Sequence, residues 1–147
     1  MAKPTFKANP IQVQVPATSA NLGPGFDAFG LAFSLHDRYV AQILDEGGLD
    51  IDVTGEGADE LPRNEKNLLV KAMYKGFDFL GGKPKGLAVR ALNVIPHGRG
   101  LGSSAAAIIG GLVLARSLVL TGTDKMSDTQ LLNLATEMEG HPDNVAA

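Results

Sequence analysis

Residues 95–106 read IPHGRGLGSSAA, and this glycine-rich stretch is the most informative part of the chain. Three glycines alternate at positions 98, 100 and 102, and Ser103 or Ser104 follows as the cap of a helix that we expect to run to about Leu120. Glycine lets a ligand approach the backbone because it has no Cβ. The first turn of a helix carries unpaired N–H groups and a partial positive charge, so the stretch predicts a phosphate-binding loop.

Two familiar phosphate loops do not fit this stretch. A P-loop ends in Gly-Lys-Ser/Thr, but Gly102 is followed directly by Ser103. The dinucleotide fingerprint needs a glycine at position 103, where the serine stands. A second interpretation is a connection that only packs a helix of small residues against a strand, those residues being Ala105, Ala106, Ala107, Gly110 and Gly111. The spacing alone leaves both interpretations open.

Apolar periodicity on either side of the stretch predicts strands and helices. The predicted strands are residues 11–15, 31–35, 39–44, 49–54 and 86–95, with His36 and Asp37 between two of them. The predicted helices are residues 67–80, the helix after the glycines, and one from Ser127 or Asp128 to about Glu139, with 121–127 as a linker. This order predicts an α+β fold, with helices on one face of a mixed, mainly antiparallel sheet.

Composition narrows the class of protein. The 147 residues predict one domain, and 44% hydrophobic with 20% charged residues is typical of a globular chain. The net charge of −3 argues against a nucleic-acid partner, and the lack of cysteine excludes disulfides and thiol chemistry. The first ten residues lack the apolar core of a signal peptide, and the longest apolar run, 105–115, is too short to span a bilayer. We therefore expect a cytoplasmic protein without membrane contact.

Two polar motifs flank the glycine-rich stretch. Residues 21–27, NLGPGFD, place Asn21 and Asp27 on a turn, where Asp27 could hold an ammonium group and Asn21 could bond a carbonyl or a hydroxyl. The alternative is an Asx turn, in which both side chains bond their own backbone.

The second motif begins with Glu137 and Glu139 and continues to His141 and Asn144. Two residues apart on a helix, the glutamates point to nearly opposite sides, so only one of them can face a site. A carboxylate, a serine hydroxyl and phosphate oxygens are a common way to hold Mg²⁺; the alternative is that both glutamates are solvated. A zinc site at His141 is disfavoured, because no second His or Cys stands at ligand spacing.

Three segments together resemble, in order and spacing, the GHMP kinase superfamily. They are PATSANLGPGFD at 16–27, PHGRGLGSSAA at 96–106 and EGHPDNV at 139–145. The central one is general to the superfamily, and the outer two look like its members that phosphorylate L-homoserine. The resemblance covers the chain from about residue 10 and implies the GHMP N-terminal domain fold, which is like domain 2 of ribosomal protein S5.

The resemblance implies transfer of the γ-phosphoryl group of ATP to the side-chain hydroxyl of L-homoserine, in threonine biosynthesis. Asn67 matches a position near adenine. Mg²⁺ would be held by Ser104 (or Ser103) and by Glu139, because only Glu139 stands in the Glu-Gly context of the family's glutamate. The triphosphate would be cradled by Pro96, His97, Gly98, Arg99, Gly100, Leu101, Gly102, Ser103 and Ser104.

The resemblance also implies a substrate site. Asn21, Asp27, His141 and Asn144 match positions that line the homoserine pocket. Asp27 would hold the ammonium group, and Asn21 and Asn144 would lie at the hydroxyl end. Whether the site has a general base is left open, with His141 as the candidate.

Family members are longer, two-domain chains that bind the substrate carboxylate with arginines of the second half. We therefore expect residues 1–147 to be the N-terminal, ATP-binding domain, with the C-terminal domain outside this chain, and we leave its activity in isolation open. The alternatives are a GHMP kinase for another small alcohol, a nucleotide-binding domain without turnover, and an RNA-associated module, which the acidic balance disfavours. Whether the chain forms a homodimer is also open.

Overall fold

The structure is a computed structural model that describes residues 4–16, 36–55, 57–94 and 103–139, without the side chains of Ser103 and Ser104. Within these ranges the chain forms strands and helices in the order β, β, β, α, β, α, α, α. The strands are β1 (Ile11–Pro16), β2 (His36–Leu44), β3 (Gly48–Gly55) and β4 (Gly86–Asn93). The helices are α1 (Leu68–Phe79), α2 (Ser103–Leu118), α3 (Gly122–Lys125) and α4 (Asp128–Glu139).

The strands form one sheet in the order β1-β2-β4-β3. β2 pairs antiparallel with both β1 and β4, whereas β3 pairs parallel with β4. The parallel pair arises because α1, which connects β3 to β4, returns the chain to the end of the sheet at which β3 began. The predicted mixed, mainly antiparallel sheet is confirmed.

Side chains alternate between a buried and a solvent-facing side of this sheet. Tyr39, Val53 and Val89 are buried on the side that the helices cover. On the other side, the exposed Arg90 and Asp50 form an ion pair of 3.0 Å between neighbouring strands. The predicted α+β architecture, with helices on one face, is therefore confirmed.

Helix α1 matches the helix predicted from the apolar spacing. Asn67 is its N-cap, and Leu69, Met73 and Phe77 are buried on one side of it. The helix ends at Phe79, one residue before the predicted end, and the Gly82 N–H donates to the Phe77 carbonyl at 2.8 Å. Local sequence thus determines both ends of α1.

Small residues let α2 pack between the sheet and α1. A Cβ added at Gly110 would lie 2.5 Å from ring atoms of Tyr39, and one at Gly111 would lie 2.5 Å from the Leu69 carbonyl oxygen. The small residues of α2 therefore do serve close packing. This packing involves Gly110 and Gly111 inside the helix, so it leaves phosphate binding at the start of the helix as a separate question. No helix in the four described ranges is both long and apolar enough to cross a membrane.

Strand β2 begins earlier than the sequence predicts. His36 and Asp37 pair with Pro16 and Val15 of β1, so the prediction that they separate two strands was wrong. Pairing with β1 includes these polar residues because the backbone ladder does not depend on side-chain polarity. The predicted strand 31–35 lies outside the described residues.

The expected linker 121–127 contains the short helix α3, so that prediction was also wrong. The Lys125 N–H donates to the Thr121 carbonyl at 3.1 Å, and the Met126 N–H donates to the Gly122 carbonyl at 2.8 Å. Met126, directly after this single turn, is fully buried and belongs to the hydrophobic core. The four residues of α3 are too few to show an apolar helical period in the sequence.

Candidate functional site

The glycine-rich residues 95–102 connect two points that the structure describes, although they themselves lie outside the described residues. On one side β4 ends at Asn93 and Val94 follows; on the other, α2 begins at Ser103. A cavity at this end of the sheet is lined by Asn93, by Leu68 at the start of α1 and by Ala107 in the first turns of α2. The predicted phosphate loop is thus attached where two helices begin and a strand ends.

This cavity has a volume of about 110 Å³. Much of its wall is apolar, as at Leu61, and the lining residues with polar side chains are Asp37, Tyr39, Asn67 and Asn93. A mainly apolar cavity with a few polar groups is typical of small-ligand sites. This cavity is smaller than a nucleotide, so only part of such a ligand would fit in it.

Asn67 both lines the cavity and caps α1. Its Oδ1 accepts the Leu69 N–H at 2.9 Å, and its Nδ2 donates to the Pro62 carbonyl at 2.9 Å. The residue is 6% exposed. An amide has a second N–H and a second lone pair on its oxygen, so these bonds do not use all of its capacity. The role of Asn67 near adenine remains a prediction.

Replacing Asn67 with alanine is expected to lower the free energy of unfolding by about 1–2 kcal/mol, because the Leu69 N–H and the Pro62 carbonyl lose their partner. Urea unfolding followed by circular dichroism measures this loss. Asn64→Ala is the matched control, since Asn64 makes an exposed side-chain bond to the Lys66 N–H. Equal losses in the two variants would contradict the capping role.

Asp37 and Tyr39 form a buried polar pair that the sequence analysis missed. The Tyr39 hydroxyl donates to Asp37 Oδ2 at 3.0 Å, and the Val94 N–H donates to Asp37 Oδ1 at 2.7 Å. Asp37 is 2% exposed. Side chains alternate along a strand, so Asp37, Tyr39 and Ala41 of β2 lie on the same face. Including His36 and Asp37 in the predicted strand would therefore have placed Asp37 beside Tyr39.

The Tyr39 phenol stays protonated in the folded protein. Burial, and secondly the neighbouring Asp37 charge, raises the pKa of Tyr39 far above its ordinary value of 10.0. Above pH 10 the unfolded chain therefore releases a proton that the folded chain keeps, so stability falls as the pH rises. We expect a decline in thermal midpoint between about pH 10 and 11 that is shallower in Tyr39→Phe. Identical declines in the two proteins would contradict this coupling.

The end of α4 carries the predicted metal ligand Glu139. Arg116, near the end of α2, donates to Asp128 at the start of α4 at 2.8 Å, and α4 packs against α2. Glu137, the alternative glutamate, forms an ion pair of 2.9 Å with Lys75 of α1.

No metal cluster is visible in the part of the chain that the structure describes: there is no group of three or more His, Cys, Asp or Glu residues there that could hold an ion. The Ser104 side chain is not described, so the pairing of Ser104 with Glu139 stays a prediction. Several other predicted site residues lie outside the described ranges. These are Asn21, Asp27, Pro96, His97, Gly98, Arg99, Gly100, Leu101, Gly102, His141 and Asn144.

Comparison with known proteins identifies the class. Residues 67–147, more than half of the chain, match the family described as the GHMP kinases N terminal domain. The chain therefore belongs to the GHMP kinases. Its curated relatives include homoserine kinases: that of Streptomyces coelicolor is 58% identical over all 147 residues, and that of Mycobacterium tuberculosis is 52% identical over 134 residues, 90% of this chain. The matched regions are 47% and 42% of those proteins, so the chain spans about half the length of the curated relatives it matches.

Solved structures give the same fold. The homoserine kinase of Cytophaga hutchinsonii superimposes with a TM-score of 0.70 at 29% identity, covering 99% of this chain and 47% of that one. The mevalonate kinase of Methanococcus jannaschii gives a TM-score of 0.59 at 14% identity, covering 90% of this chain and 47% of that one, and shows the shared fold alone. The predicted GHMP N-terminal fold is confirmed.

Proposed function

We propose that this chain is the N-terminal, ATP-binding domain of a cytoplasmic enzyme that transfers the γ-phosphoryl group of ATP to the side-chain hydroxyl of L-homoserine. The product is O-phospho-L-homoserine, in threonine biosynthesis. The observation that carries the proposal is the 58% identity to a homoserine kinase along the entire chain. The proposed partners are ATP and L-homoserine, and neither nucleic acid nor a membrane is proposed as a partner. Whether the protein forms a homodimer is left open, and sedimentation equilibrium would measure it.

Residues 96–104 are proposed to cradle the triphosphate. The described attachment points support this, because the stretch leads directly into the N-terminus of the 16-residue helix α2. Phosphoryl transfer needs positioning and neutralisation of charge more than covalent chemistry from the protein. Backbone N–H groups aimed at the phosphoryl oxygens would supply both. Asn67, at the start of α1, is proposed to contact the adenine.

Ser104 and Glu139 are the proposed ligands of Mg²⁺. Hydroxyl and carboxylate oxygens suit this hard cation, which keeps few protein ligands and several waters. Helix α4, which ends at Glu139, packs against α2, which begins at Ser103, and this contact supports the proposal. When bound, the ion would neutralise charge on the phosphate oxygens.

Asp27, Asn21, Asn144 and His141 are proposed to bind and orient L-homoserine. Asp27 pairs with the ammonium group, and the two asparagines hold the reacting hydroxyl. The hydroxyl oxygen forms a bond to the γ-phosphorus while the bond to the β-phosphate oxygen breaks, and ADP leaves. His141 is proposed to accept the hydroxyl proton, although a metaphosphate-like transition state demands little of a base.

Asp27→Ala is expected to raise the KM for L-homoserine by about 10-fold or more, since a charge-assisted hydrogen bond to the ammonium group is lost. The KM for ATP is expected to change by less than about threefold. Steady-state assays of ADP release measure both constants. Asp45→Ala, at an exposed aspartate after β2, controls for the change in net charge. Equal increases in the two KM values would contradict an amine-binding role.

A substrate panel tests the function itself. The protein in its full translated length is incubated with ATP, Mg²⁺ and, in turn, L-homoserine, mevalonate, galactose and shikimate, and ³¹P NMR records new phosphomonoesters. We expect a product with L-homoserine alone. A product with another alcohol would assign a different GHMP kinase activity, and ATP binding without any product would favour a domain without turnover.

A further inference from the structure

A buried carboxylate fixes the backbone at the point where the chain enters the glycine-rich residues 95–102. Asp37 and Asn93 lie at neighbouring ends of β2 and β4, beyond the last registered pair, Arg38 with Leu92. The Val94 N–H, one residue past β4, donates to Asp37 Oδ1 at 2.7 Å. Asp37 and Tyr39 line the same cavity as Asn67, but neither is among the residues proposed above to touch ATP or L-homoserine.

The orientation of this carboxylate is itself fixed. Its second oxygen accepts the Tyr39 hydroxyl at 3.0 Å, and the Tyr39 ring packs against α2 at Gly110. Asp37 is 2% exposed, so its bonds operate away from bulk water, where they are stronger and more costly to lose. Through Tyr39 and Val94, one side chain links β2, α2 and the end of β4.

We propose that Asp37 is a positioning residue for nucleotide binding, because its carboxylate fixes the amide of Val94, the last described residue before residues 95–102. This inference rests on the proposed function, since it assumes that those residues bind ATP. Backbone that is already fixed at Val94 loses less free energy to ordering when the ligand arrives. Release of the Val94 amide is therefore expected to weaken nucleotide binding, although it removes none of the groups proposed above to touch the nucleotide.

Three variants separate positioning from general stability. Asp37→Ala removes the acceptor of the Val94 N–H. Asp37→Asn keeps an acceptor oxygen for Val94 and offers an amide N–H to the Tyr39 oxygen. Tyr39→Phe removes the bond to the other carboxylate oxygen and leaves the Val94 bond in place, so it is the matched control.

Two measurements are made at a temperature where circular dichroism shows each variant folded. Calorimetry gives the Kd of a non-hydrolysable ATP analogue, and NMR gives the hydrogen-exchange rate of the Val94 amide. Asp37→Ala is expected to raise the Kd and the exchange rate by about 10-fold or more each. Asp37→Asn and Tyr39→Phe are expected to stay within about threefold of the unaltered protein in Kd, although Tyr39→Phe lowers the thermal midpoint.

An unchanged Kd in Asp37→Ala, or an equal rise in Tyr39→Phe, would overturn the inference. If Asp37→Ala does not fold, the double variant Asp37→Val/Tyr39→Phe replaces it. This variant leaves no unpaired phenol in the core, because both polar partners are removed. Its Kd is compared with that of Tyr39→Phe. Failure of the unaltered protein to bind the analogue would overturn the proposed function, and Val94 exchange would then decide separately whether Asp37 holds this backbone.

Discussion

Replacing Gly111 with alanine lowers the free energy of unfolding by about 2–3 kcal/mol, against the direction of helix propensity. Alanine is the better helix former by about 1 kcal/mol. However, its Cβ would lie 2.5 Å from the Leu69 carbonyl oxygen and 2.6 Å from the Ala72 Cβ, both on α1. Neither atom is the end of a flexible side chain, so the two helices must move apart.

Urea unfolding followed at 222 nm measures this change. Gly47→Ala is the control, because the nearest atom to a Cβ there is the Lys85 carbonyl oxygen at an ordinary contact distance of 3.7 Å. We expect that control to stay within about 0.5 kcal/mol of the unaltered protein. A Gly111→Ala protein that is as stable as the unaltered one, or more so, would show that α1 and α2 are not in the close contact described here.

Gly102→Val is expected to weaken ATP binding by at least about 100-fold. Gly102 lies outside the described residues, and the expectation comes from its place directly before Ser103, where α2 begins. A β-branched side chain blocks close approach of a phosphate and restricts the backbone that presents the amides. Calorimetry with the non-hydrolysable ATP analogue measures the loss.

Gly47→Val serves as the control for this second change, since Gly47 stands in the exposed turn between β2 and β3. Its Kd for the analogue is expected to equal that of the unaltered protein. Nucleotide affinity that survives Gly102→Val, with the thermal midpoint also unchanged, would remove residues 96–104 from the binding site.

Local sequence patterns were sufficient for much of the fold. The spacing of Leu69, Met73 and Phe77 predicted α1, and the serines after the glycine-rich stretch predicted the start of α2. Apolar periodicity along residues 49–54 and 86–95 predicted β3 and β4. These elements follow from side-chain period and capping, which act within a few residues.

Other features depend on contacts between segments distant in sequence. Asp37 was assigned to a break between strands because its polarity masks its place in β2, where pairing with β1 and the Val94 N–H stabilises it. Helix α3 has four residues, too few to show an apolar period, and Met126 directly after it is buried in the core. The site itself was predicted from motif spacing and resemblance, and only Asn67, Glu139 and the helical backbone of residues 103–104 fall within the described part of the chain.

Amide chemical shifts during titration with the ATP analogue test most directly whether nucleotide binds at the start of α2. The account predicts the largest shifts at Val94, Ser103 and Ala105, at the two ends of the glycine-rich stretch, with small shifts at Gln42 on the opposite face of the sheet. Saturable binding that shifts amides elsewhere and leaves those three unchanged would contradict it.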